Sequence, residues 1–195
     1  MIRLFTALCK SIFEIIVDAD IFQEKTNGFR HYDKACPNCG ATGKLSPCGK
    51  YSRWLMSYTN GHITSKLIQP LRFACTSCGK THALLPDILI PYSSYGLRFK
   101  LNLLIAYFER KNTVVQICEN FNIAVSTLYE WKKLMQTHKE LLLGVLISQK
   151  EPALAFLRGL FESSCLSELL KSFFNTHSFS FMQSQPISTT RSHSP

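Results

Sequence analysis

The sequence predicts a mixed α+β chain: a small antiparallel sheet unit, then a three-helix unit with a tight turn, then further C-terminal helices. Three observations predict this order. Two Cys-x-x-Cys-Gly turns, Cys36-Pro37-Asn38-Cys39-Gly40 and Cys75-Thr76-Ser77-Cys78-Gly79, are separated by 35 residues between Cys39 and Cys75. Asn60-Gly61 lies between them, flanked by runs of β-formers. From residue 97 onward the apolar residues instead recur at three- and four-residue steps, the period of a helix.

The cysteine turns come first because they bracket the sheet. Each turn sets two sulfurs on one side of a tight loop, and its glycine lets the backbone turn beneath them. Two such turns facing each other supply the four tetrahedral ligands, at about 2.3 Å, that Zn²⁺ favours. Cys36, Cys39, Cys75 and Cys78 are therefore the expected ligands of one structural zinc ion. The alternatives are a pair of disulfides or four inert thiols, and no secretory context supports disulfides. Cys48, His62 and His82 lie near the turns and are read as non-ligands.

Between the turns the pattern is that of strands. Residues 51–58 lead into Asn60-Gly61, and residues 63–68 follow it. Asn-Gly between two such runs is a strong hairpin signal, because both central residues must adopt φ > 0. Pro70 forces a kink or an edge position, and Leu71-Arg72-Phe73 enters the second cysteine turn. Two cysteine turns clamping a small antiparallel sheet is the layout of a zinc ribbon, placed at residues 29–85. So small a unit has little core of its own, and metal would supply much of its folding energy.

Charge is concentrated in that unit. The chain of 195 residues carries +9 overall. Residues 29–82 hold eight Lys/Arg against one acid, Asp33, a local charge of +7. Four thiolates with one Zn²⁺ subtract two and leave the unit basic. A basic patch of this kind suits a polyanionic partner, most often nucleic acid; an ordinary lysine-rich solvated surface is the bland alternative.

Residues 2–17 read as an amphipathic helix within an N-terminal segment 1–28, suited to core packing or to a homodimer contact. Lys10, Glu14, Asp18 and Asp20 interrupt any apolar core, so a signal peptide is not expected. No uncharged apolar run is long enough for a membrane span. The expected compartment is the reducing cytoplasm.

Pro86, Pro91 and Tyr92-Ser93-Ser94-Tyr95-Gly96 mark a short packed linker. A helical domain spans residues 97–143. The first helix covers 97–111, with Leu101, Leu104, Ile105 and Phe108 as its apolar stripe. Thr113 caps a second helix, Val114 to Phe121. After the turn Asn122-Ile123-Ala124-Val125, Ser126 caps a third, Thr127 to about Leu143. Helix, tight turn, capped helix is the layout of a helix-turn-helix, with Ile117, Phe121, Ile123, Val125 and Leu128 as core and Cys118 as a required small residue. A plain three-helix bundle has the same spacing. Further helices over 150–182 carry Leu-rich stripes and an aromatic patch of Phe173, Phe174, Phe179 and Phe181. Residues 183–195, rich in Ser, Thr and Pro, are expected to be disordered.

The stretch Asn122 to Trp131 resembles the recognition turn and helix of the DNA invertases of the serine recombinase family, most closely over Val125-Ser126-Thr127-Leu128-Tyr129. The resemblance implies that Ser126 touches DNA. The family's second contact is an arginine four residues later, where this chain has Glu130; a carboxylate could accept from cytosine but cannot pair with phosphate or with guanine's acceptors. The wider pattern resembles a family of bacterial zinc-ribbon proteins similar to the DNA-binding front ends of insertion-sequence transposases. It rests on Cys36-Pro37-x-Cys39-Gly40, Gly49-x-Tyr51-x-Arg53, Cys75-x-x-Cys78-Gly79-Lys80-Thr81-His82-Ala83-Leu84-Leu85-Pro86-Asp87 and Pro91-Tyr92, and covers about residues 33–135. Cys48 stands where a histidine is expected before Gly49.

These readings imply a non-enzymatic binder of double-stranded DNA, either a transcription regulator or an accessory protein of a mobile element. Ser126, Thr127 and Tyr129 would reach base edges or phosphates, Lys132 and Lys133 would meet phosphates, and Arg53 would contribute from the ribbon. A closed four-thiolate site has no open position for catalysis. After residue 140 only Glu151, Glu162 and Glu168 remain as acids, too few for a nuclease domain. The competing class is a protein-interaction module. A thiol redox protein is a third, and would lack metal.

Overall fold

In the computed structural model the described residues are 2–4, 29–59, 61–87 and 89–184. They form a mixed α+β structure in which small, mainly antiparallel sheets precede a helical region. Strands β1 (Ile2–Leu4), β2 (Leu45–Lys50), β5 (Leu71–Cys75) and β6 (Thr81–Pro86) make one sheet in the order β1-β6-β5-β2. β3 (Arg53–Thr59) and β4 (His62–Ile68) pair as a separate hairpin. Its register runs from Arg53↔Ile68 to Thr59↔His62, so the loop is the two-residue Asn60-Gly61 that the sequence indicates.

β1 corrects one expectation. Ile2–Leu4, where a helix is expected to begin, is a strand paired parallel with β6. The rest of that expected helix lies outside the described residues.

Among the described residues six helices follow: α1 (Leu97–Glu109), α2 (Val114–Asn120), α3 (Val125–Leu143), α4 (Val145–Lys150), α5 (Ala153–Glu162) and α6 (Leu166–His177). Thr113 caps α2 through a full capping box. Its hydroxyl accepts from the Gln116 N–H, and the Gln116 side chain accepts from the Thr113 N–H. Ser126 is not a cap. The N-cap of α3 is Ala124, so Ser126 sits inside the first turn, and Val125 is exposed rather than in the core. Pro152 precedes α5, where its missing N–H costs nothing.

The main core is helical. Leu101, Leu104, Ile117, Phe121, Leu128, Trp131 and Met135 are buried, joined by Leu157, Leu160 and Phe173 from α5 and α6. Cys118 is buried there as a small side chain, and its burial pushes the thiol up. The C-terminal aromatic patch is covered by ordinary packing: His138 of α3 lies 5.2–5.6 Å from the rings of Phe173, Phe179 and Phe181. Gln183, placed in the expected disordered tail, is buried and accepts the Ser180 N–H at 3.0 Å; residues 185–195 lie outside the described residues.

The linker between sheet and helices is a packed element. Leu89 and Ile90 are buried. The Met56 N–H donates to Ser94 O at 2.8 Å, and Tyr95 bridges Met56 in parallel. Met56, Tyr58 and Ile63 of the hairpin pack against the helical core. The hairpin thus belongs as much to the helices as to the cysteine turns.

Candidate metal centre and basic surface

The two cysteine turns are built alike. In the first, the Cys36 N–H donates to Ala41 O at 3.0 Å and the Gly40 N–H returns to Cys36 O at 2.9 Å. In the second, the Cys75 N–H donates to Lys80 O at 2.9 Å and the Gly79 N–H returns to Cys75 O at 2.9 Å. Closing so tight a loop needs a left-handed residue, which Gly40 (φ 74°) and Gly79 (φ 68°) provide without a Cβ penalty. The Thr76 N–H donates to Lys44 O at 2.8 Å and ties the second turn to the start of β2.

This construction gathers four thiols. The ligand atoms of Cys36, Cys39, Cys75 and Cys78 all lie within 4.8 Å of one another. Cys36 Sγ is 3.7 Å from Cys78 Sγ, and Cys39 Sγ is 3.7 Å from Cys75 Sγ. A tetrahedron with arms of about 2.3 Å has edges of about 3.8 Å, so these two sulfur pairs stand at the spacing that a four-thiolate site needs. None of the seven cysteines among the described residues is in a disulfide. Four cysteines this close could hold one metal ion.

The electrostatics of the cluster point the same way. Burial pushes the Cys36 thiol up, but the N–H groups of Cys39 and Asn38 and the neighbouring thiols outweigh it and bring it down to about 6. At Cys39 the order reverses: the Ala41 N–H pulls down, while burial and the three surrounding thiols push it up to about 12. One negative charge fits easily and further ones repel it. A dication removes that conflict.

Cys48 is exposed, apart from the cluster, where the β2–β5 register slips between Pro47 and Lys50. His62 is exposed in the hairpin. His82 differs. It is buried on β6, and its Nε2 lies 3.3 Å from Cys36 Sγ. An N–H donated there stabilises thiolate and fixes the sulfur's orientation. The register His82↔Phe73 brings it beside β5, the strand that ends in Cys75. Only strand pairing reveals this contact.

On α3 the buried positions Leu128, Trp131 and Met135 face inward. Ser126, Tyr129, Glu130 and Lys133 are exposed and share the opposite face at helical spacing. Thr127 and Lys132 flank that face and are half-buried. Lys132 Nζ donates to the Tyr107 hydroxyl at 3.1 Å and lies over the rings of Tyr107 and Tyr129. Arg110 and Lys132 both line a cavity of about 430 Å³ between the end of α1 and the start of α2.

Arg53 has a structural task that its place among the expected DNA contacts did not suggest. Its guanidinium donates to Ile90 O at 3.2 Å and to Ser93 O, clamping the linker to β3. Of the other basic residues of this segment, Arg30, Lys34, Lys44, Lys50, Arg72 and Lys80 are exposed, and Lys66 of β4 is half-buried. No acid occurs from residue 34 to residue 86. Among the described residues no helix is long and apolar enough to cross a membrane.

Neither the curated proteins nor the solved structures gave a match to this chain. Residues 36–131, from the first cysteine of the cluster to Trp131 of α3, match the family model described as "Domain of unknown function (DUF6431)", so strands β2 to β6, α1, α2 and the first part of α3 fall within a single stretch of similarity.

Proposed function

We propose that the protein binds double-stranded DNA without catalysing a reaction, using a zinc ribbon clamped by Cys36, Cys39, Cys75 and Cys78 and a helix-turn-helix formed by α2 and α3. The single observation that carries this reading is the split of α3. Leu128, Trp131 and Met135 anchor one face in the core, while Ser126, Tyr129 and Lys133 stand exposed on the other. A helix held this way, with a second short helix packed at its start, can enter a major groove with its first turn foremost. The basic sheet surface would lie along the flanking phosphates. Glu130, on the same face, would favour cytosine over guanine's acceptors. The role would be that of a regulator or of an accessory protein of a mobile element, resembling the front ends of transposases. Zinc suits four thiolates in a closed tetrahedron better than hard cations do.

The test is a mobility-shift titration on duplex selected from random sequence, at two salt concentrations. Affinity should fall steeply with salt, and Lys133→Ala should reduce the log–log slope by about 1. Unchanged affinity and slope in a Lys132→Ala/Lys133→Ala double variant would count against this docking. A second reading has its own observation. Trp54 and Leu67 pair across the hairpin and are 55% and 44% exposed, an apolar patch that suits a protein partner. Absence of duplex binding at low salt would favour it.

A further inference from the structure

Tyr92 has no packing reason to be tyrosine. It occupies the third position of the turn Ile90–Ser93, closed by the Ser93 N–H on Ile90 O at 3.3 Å, and its φ is 59°. Glycine is the usual occupant of a left-handed third position, and a bulky side chain there is strained. Burial does not offset the strain, since Tyr92 is 94% exposed. The clamp from Arg53 to Ile90 O and Ser93 O holds this turn in place. The fold therefore fixes a costly conformation that presents an aromatic ring to solvent, and observed strain of that kind points to function.

What surrounds the ring indicates a ligand. Tyr92 stands at the lip of a cavity of about 520 Å³ between linker and sheet, lined also by Tyr51, Arg53, Arg72 and Thr81. Arg72 is exposed, lines this cavity and commits one nitrogen of its fork to Thr81 Oγ1 at 3.1 Å. The lining contains no carboxylate, and neither arginine forms an ion pair among the described residues. Such a fork matches a phosphate. A second cavity, of about 260 Å³, is lined by the same turn and by Thr127 and Trp131 of α3. Tyr92 is thus the ridge between the basic sheet and the first turn of α3.

We propose that this ridge and the larger cavity hold one unstacked nucleotide of a nucleic-acid strand, its base on the Tyr92 ring and its phosphate on Arg72, with Arg53 positioning the turn. The proposal rests on the nucleic-acid reading above and adds a contact that a fully paired duplex would leave unused. Stacking on an aromatic ring accepts any base, so the site would sense unpaired structure rather than sequence.

The experiment uses the full metal-loaded chain and two duplexes of the same sequence, one fully paired and one with a single unpaired 2-aminopurine. The wild type should bind the second about tenfold more tightly and alter its fluorescence, as expected for one stacked base. Tyr92→Gly should bring that affinity down to the paired value without lowering the melting temperature, because glycine is at ease at this φ. Arg72→Gln should weaken the unpaired duplex as well, and thymidine monophosphate should compete better than inorganic phosphate. If Tyr92→Gly keeps the preference, or phosphate competes equally, the nucleotide site is overturned. Paired-duplex binding with no preference in the wild type overturns the site and leaves the DNA reading intact. Preference for the unpaired duplex with no paired-duplex binding does the reverse, and binding to neither removes both.

Discussion

The ring of Tyr58, on the hairpin, stacks on that of Phe121, at the end of α2, with centroids 4.1 Å apart and planes 24° apart. Phe99 of α1 meets both rings edge-on, at 6.5 Å and 5.6 Å. The hairpin and the helices are thereby joined by an aromatic cluster rather than by chain connectivity alone.

Tyr58→Ala should destabilise the fold by about 2 kcal/mol, because it removes a half-buried ring and a stacked pair while the site can partly collapse. Denaturant unfolding followed by Trp131 fluorescence would measure it. If hairpin and helices are independent instead, the helical transition will not move.

Removing metal should split the sheet from the hairpin. The cluster of Leu45, Phe73, Leu84, Cys36 and Cys75 is small, so a bound ion would hold much of it together. Isolated protein should contain one zinc per chain. Chelation, or Cys75→Ser, should abolish amide protection in β2 and β5 while β3 and β4, packed on the helical core, keep theirs. Metal-free protein with full protection throughout would sink the structural role of the site.

His82→Phe keeps a ring of similar shape and deletes the nitrogen, Nε2, beside Cys36 Sγ. Metal affinity should fall about 10- to 100-fold, the usual effect of losing a hydrogen bond to a ligand. Competition with a chromogenic chelator reads this directly. Equal affinities would mean that the contact only fills space.

His138 is buried, and its Nδ1 accepts the Met182 N–H at 2.9 Å, which requires that nitrogen to be unprotonated. Burial lowers its pKa to about 4, with the charges of His177 and Lys100 acting in the same direction. An unfolded histidine titrates near 6.5, so between those values the unfolded chain binds more protons than the folded one. The stabilising contribution is complete above about pH 6.5 and is lost as pH falls towards 4. In His138→Asn, whose side-chain oxygen can still accept from Met182, the unfolding midpoint should decline less over that interval. Parallel wild-type and variant curves would refute the assignment.

The cysteine turns, the Asn60-Gly61 hairpin, the Thr113 cap and the helices from residue 97 were all legible in the sequence, because each depends on residues within a few positions of one another. Glycine after Cys-x-x-Cys, threonine three residues before Gln116 and a 3.6-residue apolar period act locally, whatever the rest of the chain does. Where those signals were weak, reading failed: Ile2–Leu4 became a strand because β6 offers it a partner, and Ala124 displaced Ser126 as the cap of α3. What only the tertiary structure decided are the long-range meetings. His82 reaches Cys36 through strand register, Arg53 clamps the linker, and Tyr58 finds Phe121. Such contacts are set by how whole elements pack to bury their apolar faces, and no local pattern of residues encodes that choice.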